Sequence, residues 1–255
     1  MPLKINNVSK TFRDKKIGDN VVIRGFSTEI NEGEFVTLLG PSGCGKTTLL
    51  TMVGGFQSVD SGSIALDDKE IEGPSVERGY VFQNYALFPW MTVGRNITYS
   101  LRMQGMPKDQ QEARLKELLE MAHLTGHEGK FPIQLSGGMQ QRVAVLRALA
   151  SRPRILLLDE PLGAVDFQMR EILQNELASL VEKAGTTVMM VTHDVSEAVF
   201  LSDRVLVMQS GGGKLMDDVK IDLPRPRDRS SDQFKTYTNG LTDLLRKAFK
   251  YDKER

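Results

Sequence analysis

The sequence is poor in cysteine and in long apolar runs, and each absence excludes a class of protein. Cys44 is the only cysteine among 255 residues. An intrachain disulfide and a cysteine-cluster metal site are therefore excluded, and a reducing compartment such as the cytoplasm is favoured. No stretch approaches the roughly 20 apolar residues that cross a bilayer, and the polar first ten residues do not resemble a secretory signal. If the protein serves a membrane, we expect another chain to span it.

An excess of charge of one sign is also absent. Lysine plus arginine and aspartate plus glutamate each number 33. The balance does not favour nucleic acid or an anionic membrane surface as a partner, and we expect no nucleic-acid partner. The hydrophobic content of 40% and the length are sufficient for a full α/β core.

Two kinds of short apolar stretch predict an α/β fold. The first kind is nearly continuous, as in strands of a parallel sheet that are covered on both faces; it occurs at 35–39, 155–158, 187–191 and 205–207. The second kind alternates, at 3–8, 21–30 and 63–66, and predicts a small antiparallel layer. Between residues 88 and 140 apolar residues recur at helical spacing, which predicts a helical insert. A similar spacing between 234 and 249 predicts a terminal helix.

A glycine-rich loop follows the apolar run that ends at Leu39. It reads Gly40-Pro41-Ser42-Gly43-Cys44-Gly45-Lys46-Thr47 and fits the pattern G-x-x-x-x-G-K-[ST]. In such a loop, backbone N–H groups close around phosphate oxygens, the lysine reaches the terminal phosphates and the following hydroxyl meets Mg²⁺. The sequence therefore predicts a nucleoside triphosphate site here. Helix-terminal amides can lower the pKa of the Cys44 thiol in this position.

A second glycine loop, Leu135-Ser136-Gly137-Gly138-Met139, also opens a predicted helix. Its N–H groups and the helix dipole can hold another anion. A triphosphate bound in the first loop leaves mainly its γ-phosphate uncovered. We infer that the second loop completes a site on a partner subunit.

Polar residues end three of the predicted strands, at the edge where doubly wound folds bind ligands. Asp159 and Glu160 end one run; Asp159 suits Mg²⁺ through water, and Glu160 suits the role of base for an attacking water. His193 ends another and suits a hydrogen bond to the γ-phosphate. Gln83 follows a third predicted strand, at 79–82, and precedes the helical insert. It suits contact with Mg²⁺ or water. The alternatives are structural: a helix cap or solvated pair for the carboxylates, and a satisfied strand end for the histidine.

Taken in order, these motifs resemble those of the ATP-binding cassette (ABC) ATPases. The resemblance covers about residues 1–210 and implies a P-loop NTPase (RecA-like) fold: a parallel-sheet core, an antiparallel β subdomain and a helical subdomain at about 88–150. Residues 211–255 would then be a C-terminal extension. The motifs that carry it are Walker A (40–48), the Q-loop (83), the signature (135–139), Walker B with the catalytic glutamate (155–160), the D-loop (164–166) and the switch histidine (193).

The resemblance implies ATP and Mg²⁺ as cofactors and assigns residue roles. The implied catalytic residues are Lys46, Gln83, Glu160 and His193, and the implied metal ligands are Thr47, Gln83 and Asp159. The implied nucleotide contacts are Phe12, as the aromatic stacked on adenine, Gly40, Pro41, Ser42, Gly43, Cys44, Gly45, Lys46, Thr47, Thr48, Gln83, Ser136, Gly137, Gly138, Met139, Asp166 and His193. Met139 stands where the family often has glutamine, and Val165 where leucine is common; neither change removes a phosphate donor.

The resemblance also implies partners. Two copies, or one copy and a paralogous ATPase, would dimerise head to tail around two ATP molecules. Transmembrane permease subunits, and indirectly a periplasmic or extracellular solute-binding protein, would hold the ATPase at the cytoplasmic face of the inner membrane. The apolar segment 87–91, with the only tryptophan, would receive a helix of the permease; the alternative is local core.

Segments 71–74, 77–79, 87–90 and 223–229 resemble the nitrate, sulfonate and taurine importer subfamily. Three other interpretations stay open: the ATPase of an exporter or lipid-handling system, a non-transport ABC ATPase, and a P-loop kinase or simple nucleotide switch.

Overall fold

The structure, a computed structural model, describes residues 3–14, 18–163 and 167–250. Its strands are β1 (Leu3–Asp14), β2 (Gly18–Ile30), β3 (Phe35–Leu39), β4 (Ser61–Leu66), β5 (Lys69–Glu70), β6 (Arg78–Val81), β7 (Ile155–Asp159), β8 (Thr187–Thr192), β9 (Arg204–Met208) and β10 (Leu215–Lys220). Its helices are α1 (Lys46–Val53), α2 (Val93–Ile97), α3 (Tyr99–Met103), α4 (Lys108–Met121), α5 (Gly137–Leu149), α6 (Phe167–Ala184), α7 (Val195–Leu201) and α8 (Asp232–Lys250). Among the helices of the described residues, none is long and apolar enough to cross a membrane.

The chain divides into two compact units. The phosphate-loop unit comprises Met1–Ser75 and Thr187–Arg255, and the signature unit comprises Val76–Thr186. The first glycine loop and His193 belong to the phosphate-loop unit. Gln83, the second glycine loop and the Asp159–Glu160 pair belong to the signature unit.

An antiparallel sheet in the phosphate-loop unit has the strand order β2-β1-β4-β5. Leu3 and Ile5 of β1 are buried and Lys4 between them is not, which is the pattern of a strand with one face on the core. The turn between β4 and β5 has φ angles of 55° at Asp67 and 60° at Asp68. Aspartate tolerates these left-handed values in a tight hairpin turn. The predicted antiparallel layer is confirmed.

The same unit contains the strand order β10-β9-β3-β8, in which β3 lies parallel to both β9 and β8. Every residue of β3 and β8 is buried, as expected for strands covered on both faces. Leu39, the last residue of β3, pairs with Thr192, the last residue of β8. Gly40 and His193 follow these residues directly, so the phosphate loop and His193 leave the same edge of the sheet.

No apolar alternation in the sequence indicates β10. Its residues are exposed or half-buried and include adjacent aspartates, so its position depends on antiparallel pairing with β9 rather than on burial. The helix α8 buries Phe234, Leu241 and Ala248. Their spacing of about two helical turns places them on one face.

In the signature unit, β6 and β7 form a parallel pair with Val81 opposite Leu158. Gln83 and Asp159 therefore emerge at the same edge. Helices α2 to α5 form the predicted helical insert, and α5 packs on both α2 and β6.

In the sequence, Ile172, Leu173, Leu177, Leu180 and Val181 recur at helical spacing, which predicts that they share one buried face. Leu173, Leu177 and Leu180 of α6 are buried as predicted, but Ile172 is exposed. Successive residues point about 100° apart around a helix, so Ile172 and Leu173 cannot share the buried face.

Candidate nucleotide-binding site

The phosphate loop connects β3 directly to α1, and its glycines are required by packing as well as by conformation. A Cβ atom on Gly40 would lie 2.6 Å from the carbonyl oxygen of Met208, and one on Gly45 would lie 2.9 Å from that of Val22. Gly45 also has a φ of 101° and occupies the N-cap of α1, a conformation that favours glycine. The turn between β9 and β10 packs against the phosphate loop: a Cβ on Gly213 would lie 2.7 Å from the carbonyl oxygen of Cys44.

Lys46 is buried, and its ammonium group lies over the loop. Its Nζ donates to the carbonyl oxygens of Gly40 and Pro41, both at 2.8 Å. The positive charge of Lys46 is thus hydrogen-bonded to two neutral carbonyl groups. Anionic phosphate oxygens would be stronger acceptors, because hydrogen bonds between charged groups are shorter and stronger than those to neutral carbonyls.

The outer side of the phosphate loop is open. Ser42, Gly43 and Thr47 are exposed, and Thr48 is half-buried. Gly43 has a φ of 80° and no atom within 4 Å of its Cβ position. A phosphate group can therefore approach the backbone on this side without meeting a side chain of Gly43.

The expectation that loop amides lower the pKa of the Cys44 thiol is wrong. Cys44 is only 2% exposed, and burial raises the pKa of its thiol even though Lys46 and backbone N–H groups act in the opposite direction. Desolvation of the thiolate outweighs these stabilising contacts. The predicted contact of Cys44 with a nucleotide is therefore one of its backbone.

His193 is exposed at the junction between β8 and α7, and a buried hydrogen-bond network fixes that junction. The Thr192 hydroxyl accepts from the backbone N–H of Asp194 at 3.1 Å and donates to the Glu197 carboxylate. Asp194 caps α7 by accepting from the backbone N–H of Glu197 at 3.0 Å. Sequence reasoning did not name Thr192 or Glu197. The spacing of an N-cap aspartate and a glutamate three residues later could have indicated them.

Asp159 is buried at the carboxyl end of β7. The hydroxyl of Tyr80, on the neighbouring strand β6, donates to its Oδ2 at 3.3 Å. Burial, and then the Asp159 charge, raise the pKa of Tyr80, so this hydroxyl stays protonated and remains a donor. Tyr80 holds the carboxylate in place and was not predicted from the sequence.

Glu160 and Gln83 are brought together as a pair. Nε2 of Gln83 donates to Oε2 of Glu160 at 3.3 Å. Glu160 has a φ of 46°, a left-handed value that is uncommon for a residue with a long side chain. Such a conformation persists only when the surroundings hold it, and it occurs often at functional sites.

The second glycine loop forms the N-terminus of α5. The Ser136 hydroxyl accepts from the backbone N–H of Met139 at 3.3 Å and so caps the helix. Gly138 faces the protein: its Cβ would lie 2.6 Å from a methyl group of Leu173. Gly137 is exposed, and in the described part of the chain no atom outside its own helix turn lies within 4 Å of its Cβ position.

Two further predicted contacts complete the set. Phe12 lies on β1 opposite Asn20 and is 42% exposed, so the side chain is accessible from solvent. Asp166 and Val165 lie outside the described residues.

The comparison with known families decides the assignment. The ABC transporter family model matches residues 23–163. An uncharacterized ABC transporter ATP-binding protein of Methanocaldococcus jannaschii, MJ0412, is 47% identical over 245 residues, which cover 96% of this chain and 91% of that protein. This chain belongs to the ABC transporter family. As an ABC ATPase, it binds ATP and hydrolyses it.

Other relatives of the ABC ATPase carry transport names. The bicarbonate transport ATP-binding protein CmpC of Synechococcus elongatus is 42% identical over 228 residues, covering 88% of this chain and 34% of CmpC. The spermidine/putrescine import ATP-binding protein PotA of Bacillus cereus is 48% identical over 201 residues, covering 78% of this chain and 62% of PotA. The ABC ATPase thus spans only part of the length of these two relatives.

Solved structures agree with the fold of the ABC ATPase. The ATP-binding cassette MJ0796, in a dimeric post-hydrolysis state bound to ADP and Pi, aligns with a TM-score of 0.74 at 32% identity. The alignment covers 87% of this chain and 99% of that one. The predicted P-loop NTPase fold and the predicted ATPase activity are confirmed.

Proposed function

We propose that two ABC ATPase subunits close head to tail on ATP, so that the signature loop of one covers the nucleotide in the phosphate loop of the other. The observation that carries this proposal is Gly137. Its backbone is not left-handed, and among the residues that the structure describes no atom outside its own helix turn lies within 4 Å of its Cβ position, so the described packing does not require glycine. A bare backbone at the N-terminus of a helix allows an anion to approach the N–H groups closely. The relative MJ0796 is dimeric in its structure with ADP and Pi, which supports a dimer.

Within the nucleotide site, Lys46 would exchange its two carbonyl acceptors for phosphate oxygens, and the exposed backbone of Gly43 would donate to the same phosphates. Phe12 would stack on the adenine ring. Thr47, Gln83 and Asp159 carry oxygen donors, which Mg²⁺ prefers. They would hold the ion, whose charge would offset that of the phosphates during hydrolysis.

The catalytic base of the ABC ATPase is proposed to be Glu160. Gln83 donates to one oxygen of its carboxylate and so orients the group, and a carboxylate can accept a proton from the attacking water. His193, on a junction that Thr192 and Asp194 fix, would donate a hydrogen bond to the γ-phosphate. Hydrolysis removes the γ-phosphate that both subunits contact, so the closed dimer loses its differential stabilisation and opens.

The experiment that tests the dimer is Glu160→Gln in the full chain. We expect ATP turnover to fall by about 100-fold or more because general-base catalysis is lost, while ATP binding persists and a dimer accumulates in MgATP. Sedimentation velocity measures the dimer, and Glu120→Gln, on the exposed side of α4, is the matched control. A variant that turns over ATP at the wild-type rate would contradict the role of Glu160. An inactive variant that stays monomeric in saturating MgATP would contradict the dimer.

A permease is proposed to dock on the segment 87–91. Trp90 is 69% exposed, and its ring lies 5.6 Å from Phe88, which contacts Tyr99 at 4.9 Å, centroid to centroid. The Asn96 side chain donates to the carbonyl oxygens of Phe88, Met91 and Thr92. The backbone is thus held rigid while the indole stays accessible, as expected of an interface anchor.

We propose that the ABC ATPase energises an importer of a small solute such as nitrate, sulfonate or taurine, peripherally bound at the cytoplasmic face of the membrane. The transport names of CmpC and PotA support import, and the relation to CmpC supports a small anion. Reconstitution with candidate permease and solute-binding proteins tests the cargo. Only the cognate loaded binding protein should stimulate ATP turnover, and stimulation by a polyamine-loaded protein alone would contradict the anion.

A further inference from the structure

The segment 223–229, here the arginine segment, connects β10 to α8 and carries arginines at alternate positions, Arg225, Arg227 and Arg229. All three guanidinium groups reach the helix α7. Arg225 and Arg227 donate to its carbonyl oxygens, and the Arg229 guanidinium lies 3.4 Å from the centroid of the Phe200 ring. The segment therefore acts on the helix that follows His193.

The last carbonyl groups of a helix have no partner within the helix. In α7, the backbone N–H of Ser202 satisfies Ala198. Arg227 Nη1 donates to Val199 at 2.6 Å and to Phe200 at 3.2 Å. Nη2 of Arg225 donates to Leu201 at 2.9 Å. The arginine segment thus supplies the partners of the last three carbonyl groups.

Arg227 is the central member of this arrangement. It is 7% exposed, and its Nη1 also donates to the carbonyl oxygen of Ser202 at 2.6 Å. Burial, and then the charge of Arg225, lower the pKa of Arg227 to about 10, so it is still charged at neutral pH. Its nearest carboxylate, Asp203, is 3.9 Å away and is held by Arg225 at 2.6 Å.

A buried cation is costly unless it is well paired. Here its main contacts are carbonyl groups at a helix C-terminus, which carry partial negative charge. The main effect of these contacts is therefore to hold the C-terminal end of α7 in one position, and the ion pair with Asp203 is secondary.

The other end of α7 is fixed as well. Asp194 caps the helix, and the Thr192 hydroxyl links the strand end to Glu197. The helix has seven residues and is therefore about 10 Å long. In a rigid element of this length, a shift at the C-terminal end is transmitted to the residue before the N-cap, which is His193.

We propose that Arg227 is a positioning residue for His193: by holding the C-terminal carbonyl groups of α7, it sets where the imidazole meets the γ-phosphate. This inference rests on the proposed role of His193. A displacement of about 1 Å in a positioned group can lower a rate about 100-fold, so the positioning affects kcat more than ATP binding.

The test is Arg227→Gln in the full-length ABC ATPase, with kcat and KM for MgATP measured beside His193→Ala. We expect kcat to fall about tenfold and KM to change less than twofold, since the phosphate loop is untouched. In the His193→Ala background, Arg227→Gln should change kcat by less than twofold, because residues that act through one another are not additive. Arg246→Ala, which removes only an exposed contact to Asp243, is the matched control.

A spectroscopic measurement separates positioning from general stability. The chain has only three histidines, so with ¹³C-labelled histidine the His193→Ala variant assigns the His193 signal. We expect Arg227→Gln to move the chemical shift of His193 and to leave those of His123 and His127 unchanged. If Arg227→Gln does not fold, Arg229→Ala takes its place. This variant removes the stacking of Arg229 on Phe200, and we expect kcat to fall about threefold.

The outcomes are distinct. A wild-type rate in His193→Ala would contradict the role of His193 and with it the inference. The second outcome combines three results: His193→Ala is slow, the His193 signal does not move in Arg227→Gln, and the losses of the two single variants multiply in the double variant. These results would support the role of His193 and overturn the positioning role of Arg227.

Discussion

The two glycine loops of this ABC ATPase differ in where their glycines face. In the phosphate loop, Gly40 and Gly45 are enclosed by the backbone of the same unit, so any side chain would collide with the carbonyl groups of Met208 or Val22. In the signature loop, Gly137 is exposed, and among the described residues no atom outside its own helix turn conflicts with a Cβ there. Gly40 and Gly45 of the first loop are thus required by packing within the chain. Gly137 of the second loop is proposed to serve the contact with a partner subunit.

The charged and polar groups of the loops differ in the same way. The ammonium group of Lys46 is buried and already held by two loop carbonyls. Ser136 is exposed, and its hydroxyl caps its own helix. Nucleotide binding should therefore depend on the phosphate loop and not on the signature loop, whereas turnover should depend on both loops.

The largest expected effect comes from Lys46→Ala. We expect ATP affinity to fall by about 100-fold or more, because a fully desolvated charged partner of the phosphates is removed. Isothermal titration with MgATP measures it, and Lys69→Ala on the exposed strand β5 is the control. Affinity within threefold of the wild type would show that the phosphate loop does not bind the triphosphate.

A substitution at Gly137 separates binding from turnover. Gly137→Asp places a carboxylate where the partner's γ-phosphate would lie, so we expect ATPase activity to fall about 100-fold by like-charge repulsion, with ATP affinity unchanged. Aspartate in the first turn of a helix is favourable to the helix dipole, so thermal stability should not fall.

The control for this variant is Gly129→Asp. Gly129 lies in the same unit, has no left-handed φ and has no atom within 4 Å of its Cβ position. If both variants hydrolyse ATP normally, the signature loop does not contact a nucleotide.

The smallest effect concerns thiol reactivity. Cys44 is buried and the pKa of its thiol is raised. Its alkylation by iodoacetamide should therefore be slow, and the rate should rise only at pH values above the usual pKa of a free thiol. In a Cys44→Ser background, Ser136→Cys should react at least about tenfold faster at pH 8, because its thiolate is accessible. Mass spectrometry measures both rates. A Cys44 that reacts as fast as the introduced cysteine would contradict the burial of its thiol in the phosphate loop.

Features that depend on neighbouring residues in the chain could be predicted from the sequence. The buried strands β3, β7 and β8 are continuous apolar runs, and the loops that follow β3 and precede α5 have their own glycine patterns. The site residues at strand ends follow from these assignments, since parallel strands end at one edge of a sheet.

Features that depend on distant contacts could not be predicted. The pairing of Tyr80 with Asp159 joins residues 79 positions apart, and the contacts of Arg227 with α7 span up to 28. The desolvation that raises the pKa of Cys44 depends on packing around the loop, which a local pattern does not contain.

Gly213 carries a consequence for protein engineering. A side chain there would lie 2.5 Å from the carbonyl oxygen of Val22 and 2.7 Å from that of Cys44. A linker or affinity tag inserted at this hairpin tip would therefore press on the floor of the ATP pocket, although the tip is far from the pocket in sequence. The tip at Gly105 has open space around its Cβ position and is the better place for such a graft.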